Sequence, residues 1–458
     1  MSAKTLEDKL NAEGNAVRMM YNAPTGRYAF PVASEFSHWS EEQRAWHESV
    51  ALMDQSFHMT DLYVSGPDAI KLVSYLSVNS FATFGRNKAK QMVCCNSDGY
   101  VIGDAIIFGL EDDAVNIVGR PVLANWVQFH AETGDWDVKV VRDERSLDSK
   151  AESRLTYRFE IQGPKALDLL NDLNEGGPLT TKFFNMGEIT IAGCKARTLS
   201  HGMGGAQGLE IWGPASDSDT VRAALIAAGG KYGLRLVGSR AYAAAAAESG
   251  WVPSPLPAIY SGEGTRAYRE WLPANGFEAV STIGGSFVSD VVDDYYLTPW
   301  DLDYGRVVKF DHEFIGRAAL EEMAKGPHRQ KVTLVWNKDD VAGVFAGMID
   351  YEGLAPKIME MPAAHYAAYP YDMVVIGGHQ VGVSITPAYS TNEKAWISLA
   401  IVNADVAKIG SEVAVIWGEP DGGSRKLSVE RHRQVPVRAT VQPWPIHKAS
   451  REGYRSQT

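Results

Sequence analysis

The sequence predicts an α+β protein that ends in a separate run of short β-strands. Over the first 326 residues, stretches alternating apolar and polar, as a half-buried strand does, are interleaved with helical spacing and helix-start signals. From Gln330 the character changes to mainly short strands, which suits a β-barrel or a sandwich, with a boundary near Lys325-Gly326-Pro327. A chain of 458 residues, 45% of them hydrophobic, can bury the cores of two or three domains. The division expected is 1–326 and 327–458.

Taken in order, residues 4–20 read as one amphipathic helix that stops near Pro24-Thr25-Gly26. Aromatics in 36–46 lead into a second helix, and residues 53–59 run into a strand at 61–64. Pro67 fits the first turn of a helix that reaches Leu76. Residues 91–95 and 100–110 read as a hairpin around an Asp98-Gly99 turn. Asp104 lies inside its second strand, where acidic residues are depleted. A strand at 114–119 ends at Arg120, and Pro121 opens a helix to about Glu132. The outline then repeats: a strand at 157–162, a Gly163-Pro164 turn, a helix at 165–171, strands at 189–199 and 209–213, and a helix at 219–228. A helical run to Trp251 follows Gly238-Ser239-Arg240, and an aromatic-rich connection covers 252–305. Strand and helix signals return at 307–323; strands follow at 331–336, 373–386, 395–402, 412–417 and 427–441.

Composition excludes several functions. A net charge of −12 argues against nucleic acid as a bulk partner. The charged start lacks the apolar core of a secretory signal, and no apolar run has the length of a membrane span. Cys94 and Cys95 are adjacent and Cys194 is remote, which is neither a disulfide framework nor a zinc spacing. A cytoplasmic protein with reduced thiols is expected.

The stretch that carries most chemistry is Ser200-His201-Gly202-Met203-Gly204-Gly205-Ala206-Gln207-Gly208-Leu209-Glu210-Ile211-Trp212. Its glycines leave the backbone unshielded, so it can pass close to a flat ligand; a glycine-rich hairpin is the alternative. Glu210, acceptor-only, suits a ligand edge with two donors, such as the amino-amide edge of a pterin. Asp104 is a candidate catalytic carboxylate or a backbone acceptor in its hairpin. Arg120, at a strand end before a proline-started helix, is a candidate carboxylate clamp or a cap. His58 in its apolar run reads as a core histidine or a ligand. Asp311-His312-Glu313 is consecutive, so it cannot easily converge on one ion and reads as a solvated turn. Asp290, Asp293 and Asp294 read as an exposed acidic loop. Gly284-Gly285-Ser286 is not a phosphate loop, because no Lys-Ser/Thr follows.

Taken together these pieces resemble the glycine-cleavage T-protein (aminomethyltransferase) family over nearly the whole chain. Asp54-Gln55-Ser56-Phe57-His58-Met59 resembles its Asp-Val-Ser-His-Met, and Gly99 to Phe108 with Asp104 its Gly-Gly-Ile-x-Asp-Asp strand. Ile161-Gln162-Gly163-Pro164-Lys165-Ala166 resembles its Gln-Gly-Pro-Lys-Ala. Gly208-Leu209-Glu210-Ile211 resembles its Gly-Phe-Glu-Leu, and Gly238-Ser239-Arg240 its Gly-Ala-Arg. Val308-Lys309-Phe310 with Phe314-Ile315-Gly316-Arg317 resembles its Val-Val-Lys and Phe-Ile-Gly-Lys. The resemblance implies a three-lobed fold around a central folate site, with the C-terminal strands as a β-barrel. It also implies that Glu210 grips the pterin, that Asp104 lies near folate N5, and that Gln162 and Arg240 belong to the folate-binding set.

The departures point to one branch. Phe57 is an extra residue beside His58, Gly103 replaces the first strand acid, and 252–305 has no counterpart in the glycine-cleavage enzyme. These stretches, with Lys182-Phe183-Phe184-Asn185-Met186, look like the tetrahydrofolate-dependent O-demethylases of lignin-derived methoxybenzoates. By that resemblance Arg120 binds the substrate carboxylate, while Phe30, Gln55 and His58 line the aromatic pocket. Tyr242 and Trp251 then stand at the reacting centre and the folate, with Tyr242, Asp104 and His58 as the catalytic set. The chemistry fits: a phenol leaving group and a tyrosine hydroxyl both have a pKa of about 10, so a proton can be shared at matched acidity. The protein need only align N5, methyl carbon and ether oxygen and exclude water; no metal, corrinoid or redox cofactor is needed.

Vanillate-preferring members of the branch resemble this chain with Tyr at Phe30 and His at Phe57. The changes delete polar groups where a second methoxy must fit, so syringate is favoured, with vanillate and 3-O-methylgallate as further candidates. The expected partners are an aromatic acid and folate, without nucleic acid, membrane or obligate protein partner. Two other readings remain: a glycine-cleavage-type aminomethyltransferase, and a non-catalytic folate-binding accessory protein. The accessory relatives share a Lys-Gly-Cys-Tyr-x-Gly-Gln-Glu type of stretch, where this chain has Ala192-Gly193-Cys194-Lys195.

Overall fold

A computed structural model describes residues 3–25, 29–202, 205–253, 255–350, 352–423, 426, 428–448 and 450–454. Of the positions singled out above, Gly26, Met203, Gly204 and Leu427 lie outside them.

Three β-layers organise the chain. A five-stranded antiparallel sheet runs in the order Ala89–Cys95, Val101–Glu111, Ala114–Gly119, Thr60–Ser65, Lys139–Asp143. A six-stranded sheet runs Leu234–Val237, Val50–Asp54, Thr156–Gln162, Gly208–Pro214, Cys194–Leu199, Met186–Ile191. Its first pair is parallel and the others are antiparallel. The C-terminal strands close a barrel, not a sandwich: Gln330–Trp336, Ala395–Val402, His379–Ser390, Asp372–Ile376, Glu412–Trp417 and Val435–Gln442, which pairs back onto the first. The fold is α+β with a C-terminal β-barrel, as expected.

Several elements differ from the sequence reading for local backbone reasons. The single N-terminal helix is two, Leu6–Glu13 and Ala16–Tyr21. Gly14 takes a left-handed φ of 68° and ends the first, and the Asn15 side chain accepts from the Arg18 N–H to start the second. The strand expected at 189–199 is a hairpin, because Ala192 and Gly193 both have positive φ, 50° and 75°. Gly377 and Gly378 divide 373–386 in the same way. Gly305–Val307 is a 3-10 turn where a strand signal was read; the helix there is Arg317–Met323. The strands Lys139–Asp143 and Leu234–Val237 and the helix Lys338–Met348 went unread. Both strands are short and lie at sheet edges.

The 252–305 connection is not a loose loop. Leu256, Ile259, Tyr260, Tyr268, Leu272 and Tyr295 are buried in the same core as the five-stranded sheet and its helices. That core also takes Val383, Ile385, Leu399 and Ile401 from the barrel strands. The helix Ser239–Ser249 is alanine-rich where it meets the barrel: Ala244 and Ala247 pack on Ala363, Ala388 and Ile397. Small side chains there let helix and strand approach closely.

Between the two sheets lies a buried row of alternating charge. Asp143 accepts from Arg154 Nε at 2.9 Å, and Arg154 Nη2 donates to Asp61 at 2.7 Å. Arg158 Nη2 donates to Asp61 at 2.8 Å, while its other nitrogen pairs with Glu210. His201 Nε2 lies 2.5 Å from Glu210 and 3.3 Å from Glu160. Burial alone would lower the His201 pKa, but the Glu160 charge and the Glu210 bond overturn this and push it up to about 9. Four carboxylates thus alternate with three cations, each charge beside its opposite, which is the condition under which buried ions are tolerated.

An imidazole whose folded pKa is about 9, against about 6.5 unfolded, stabilises fully below pH 6.5. That contribution is lost as pH rises through 9. His201→Gln is therefore expected to lower stability by about 3 kcal/mol more at pH 6 than at pH 9.5. Chemical denaturation of both proteins across this range checks it; a stability gap independent of pH would rule out the charged imidazole.

Candidate active site

Strands from both sheets, the helix Ser239–Ser249, the 252–305 connection and the barrel all contribute to one cavity of about 850 Å³. A volume of this order suits small-molecule ligands.

One wall is aromatic. The Phe30 ring stacks on Tyr242 with centroids 4.1 Å apart and 13° between planes, and meets His58 edge-on at 4.4 Å. The Tyr242 hydroxyl lies 3.2 Å from His58 Nε2 and accepts from Gln55 Nε2 at 3.3 Å. Burial, together with the positive charges of Arg145, Arg120, Arg154 and Arg158, holds the His58 pKa well below its usual value. His58 is thus a neutral imidazole at physiological pH. Gln55 follows the strand Val50–Asp54, and its backbone N–H donates to the Arg158 carbonyl, so the strand Thr156–Gln162 also braces this wall. Arg120 lines the cavity from the N-cap position of the helix Pro121–Thr133, at the end of its strand.

A second cluster surrounds Asp104, which is 4% exposed. Gln91 Nε2 at 2.6 Å, Trp251 Nε1 at 3.0 Å and the Tyr304 hydroxyl at 2.6 Å all donate to one oxygen, Oδ2. Oδ1 is buried and has no hydrogen-bond partner among the described residues. Burial raises the Asp104 pKa, and the three donors oppose it. In the hairpin register Val93 faces Asp104, which puts Gln91 on the same sheet face one diagonal step away.

The third cluster is the end of the charge row. Glu210, His201 and Gly202 line the cavity. Burial would raise the Glu210 pKa, but Arg158 and His201 hold it down at about 2, so the group is a carboxylate. Glu160, His201 and Glu210 bring their ligand atoms within 4.8 Å of one another. The Arg158 guanidinium already on Glu210 supplies the positive charge that a metal ion would bring there. The Asp311-His312-Glu313 turn does not converge: His312 bonds to Asp311 and the Ser77 carbonyl, and Glu313 pairs with Arg317. Asp290, Asp293 and Asp294 are exposed.

The expected site residues Phe30, Gln55, His58, Asp104, Arg120, Glu210, Tyr242 and Trp251 all line the cavity. Gln162 and Arg240 do not. Gln162 stands behind the wall and donates to Glu160 at 2.7 Å. Arg240 pairs with Glu35 at 2.9 Å and donates to the Met361 carbonyl. Phe57 is buried and also lies off the cavity surface. The sequence reading missed Gln91, Tyr304, Arg158 and the charge on His201. Arg158 and His201 flank Glu210 and could have been paired with it on charge alone; Gln91 and Tyr304 carry no local signal.

The profile of the GCVT N-terminal domain matches residues 9–253. The chain is 46% identical over 453 residues to the syringate O-demethylase of Sphingobium sp. (strain NBRC 103272 / SYK-6), covering 99% of this chain and 98% of that one. It is 28% identical over 423 residues to the sesamin methylene transferase of Sinomonas sp. (strain No.22), covering 88% and 91%. Among solved structures, the glycine cleavage system aminomethyltransferase T from Bartonella henselae superimposes with a TM-score of 0.61 at 17% identity, over 98% of this chain and 99% of that one, and so has the same fold. On the profile match and the full-length identity, the chain belongs to the GCVT (aminomethyltransferase) family.

Proposed function

We propose that the protein is a tetrahydrofolate-dependent O-demethylase that takes the methyl group of a methoxylated hydroxybenzoate, with syringate favoured. The observation that carries this is a single cavity with an aromatic clamp on one wall and two buried carboxylates, Asp104 and Glu210, on the others. A relative matched over nearly its full length bears the name syringate O-demethylase.

Arg120 binds the benzoate carboxylate, for which a guanidinium fork is suited. Phe30 and Gln55 hold the ring beside Tyr242, and His58 orients the Tyr242 hydroxyl. Tyr242 places its proton on the phenolic oxygen as the ether bond breaks. Because His58 is neutral, it does not compete as an acid there. Glu210 takes the donor edge of the pterin, held in place by Arg158 and His201. Tetrahydrofolate, when bound, supplies N5 as the methyl acceptor. The buried, unpartnered Asp104 Oδ1 fits a ligand N–H at that point. Gln162 acts from behind, through Glu160, and Arg240 fastens the segment around Glu35 to Met361.

The proposed division assigns the folate and substrate groups to 1–326 and closure of the cavity, through Lys331 and Thr386, to 327–458. The proposed setting is the cytoplasm, with small-molecule partners and no nucleic acid, membrane or obligate protein partner. The net charge of −12 speaks against a nucleic-acid partner, and no described helix is long and apolar enough to cross a membrane.

Incubated without oxygen with tetrahydrofolate and equal syringate and vanillate, the protein is expected to consume syringate first and form 5-methyltetrahydrofolate. If both acids survive, the reading fails. Tyr242→Phe is expected to cut kcat by about a hundredfold or more while both ligands bind as before, since only a hydroxyl is lost. Calorimetry and steady-state rates check this, and near-normal kcat would clear Tyr242 of a chemical role. Phe30, not Phe57, faces the cavity, so the substrate preference is expected to turn on it. Phe30→Tyr should lower the syringate-to-vanillate ratio of kcat/KM by roughly tenfold, the order of one misplaced methyl. An unchanged ratio would move the selectivity elsewhere.

A further inference from the structure

We propose that Tyr304 and Gln91 are positioning residues that clamp Asp104 through Oδ2, so that Oδ1 is the atom that takes the proton from folate N5. This rests on the reading of Asp104 as the group beside N5.

The clamp is asymmetric. Three donors from three separate elements meet on Oδ2: Gln91 from the strand Ala89–Cys95, Trp251 from just after the helix Ser239–Ser249, and Tyr304 from the end of the 252–305 connection. An sp² oxygen has two lone-pair directions, so Oδ2 has no capacity left. Rotating the carboxylate to exchange its oxygens would break all three bonds at once. Oδ1, equally buried, has no partner among the described residues, and an unmet buried acceptor is costly until a donor reaches it. A ligand N–H is the donor this arrangement is short of.

The clamp is also electrically neutral. Among the described residues no cation bonds to Asp104; Lys331, from the barrel, acts on it through space and itself donates to the Leu302 carbonyl. Cys94 on the neighbouring strand feels the Asp104 charge. Facing the cavity with it are His58, Tyr242, His201 and Glu210, and at Lys90, Asp303, Arg306 and Lys309 further charges. Neutral donors oppose the upward push of burial on the Asp104 pKa without cancelling its basicity, as a salt bridge would.

The transfer then balances. The N5–methyl bond forms and the ether C–O bond breaks. The electron pair of the broken bond stays on the phenolic oxygen, which takes the Tyr242 proton. The N5 proton goes to Asp104 Oδ1. When products leave, one proton passes through solvent from Asp104 to Tyr242, and the enzyme is reset.

Asp104 must be ionised to act, so turnover falls as pH drops through its pKa. Removing a donor to Oδ2 removes one influence that lowers that pKa, so the fall moves to higher pH. Tyr304→Phe and Gln91→Leu in the full-length protein are each expected to raise the acidic midpoint of kcat by about one pH unit. The KM for syringate should change little. Infrared titration of the Asp104 carboxyl in the ligand-free protein, assigned by difference from Asp104→Asn, should show the same displacement without any turnover. A uniform loss of kcat at every pH, with titration and midpoint unmoved in both variants, overturns the proposal and leaves Tyr304 a structural residue. Asp104→Asn tests the underlying reading separately: turnover within about tenfold of wild type would remove Asp104 as the base. Inactive Asp104→Asn with unmoved titration in the other two variants would reject the clamp alone.

Discussion

The interaction on which the rest depends is the buried row of charge from Asp143 to Glu160. Its middle members, Arg154, Arg158 and Asp61, bridge the five-stranded and six-stranded sheets, and its far end, Glu210 with His201, is a wall of the cavity. Removing Arg154, Arg158 or His201 would leave two buried carboxylates short of a partner, so each cation carries two of its neighbours. The sheets are therefore held at one separation by the same groups that present a carboxylate to a ligand. Glu210 is a structural ion and a candidate ligand group at once. Two of its lone-pair directions are taken by Arg158 and His201, and a carboxylate has about four.

The cavity has distinct walls because four parts of the chain each bring something the others lack. The sheets bring charge. The alanine-rich helix brings Tyr242 on a slender backbone that packs closely against the barrel. The 252–305 connection brings aromatic bulk and the Tyr304 hydroxyl. The barrel adds a strained edge: Thr386 lies in a bulge with φ of 51°, a conformation rarely taken by a β-branched residue, and lines the cavity. Strain of that kind persists only where the surroundings over-determine it.

Most of this was legible in the sequence wherever the signal was local. The Asp98-Gly99 turn announced the hairpin that carries Asp104, and Pro121 marked the helix that follows Arg120. Ordered motifs brought Glu210, Tyr242 and Trp251 to one site. The failures were of two kinds. Two-residue turns such as Ala192-Gly193 were read through, because alanine gives little warning of a positive φ. Side-chain partnerships were invisible where no charge pointed to them: nothing near Gln91 or Tyr304 says that both will meet Asp104. Nothing local to Arg240 says that Glu35 will draw it away from the cavity either. Such pairings are properties of the assembled lobes.

Two histidines on one cavity show how the fold divides its labour. His58 and His201 are equally buried, at 6% exposure each, yet their proton affinities move in opposite directions. Around His58 burial acts with four arginine charges, so the ring stays neutral. Around His201 two carboxylates outweigh burial, so the ring is a cation. Exchanging these states would undo both walls. A charged His58 would place a stronger acid than tyrosine beside the Tyr242 hydroxyl. A neutral His201 would leave the carboxylates of Glu160 and Glu210 facing each other with only Arg158 between Glu210 and full repulsion. The sign of each ring follows from its neighbours rather than from its depth, and that separation lets one cavity keep a neutral imidazole beside Tyr242 and a fixed anion at Glu210.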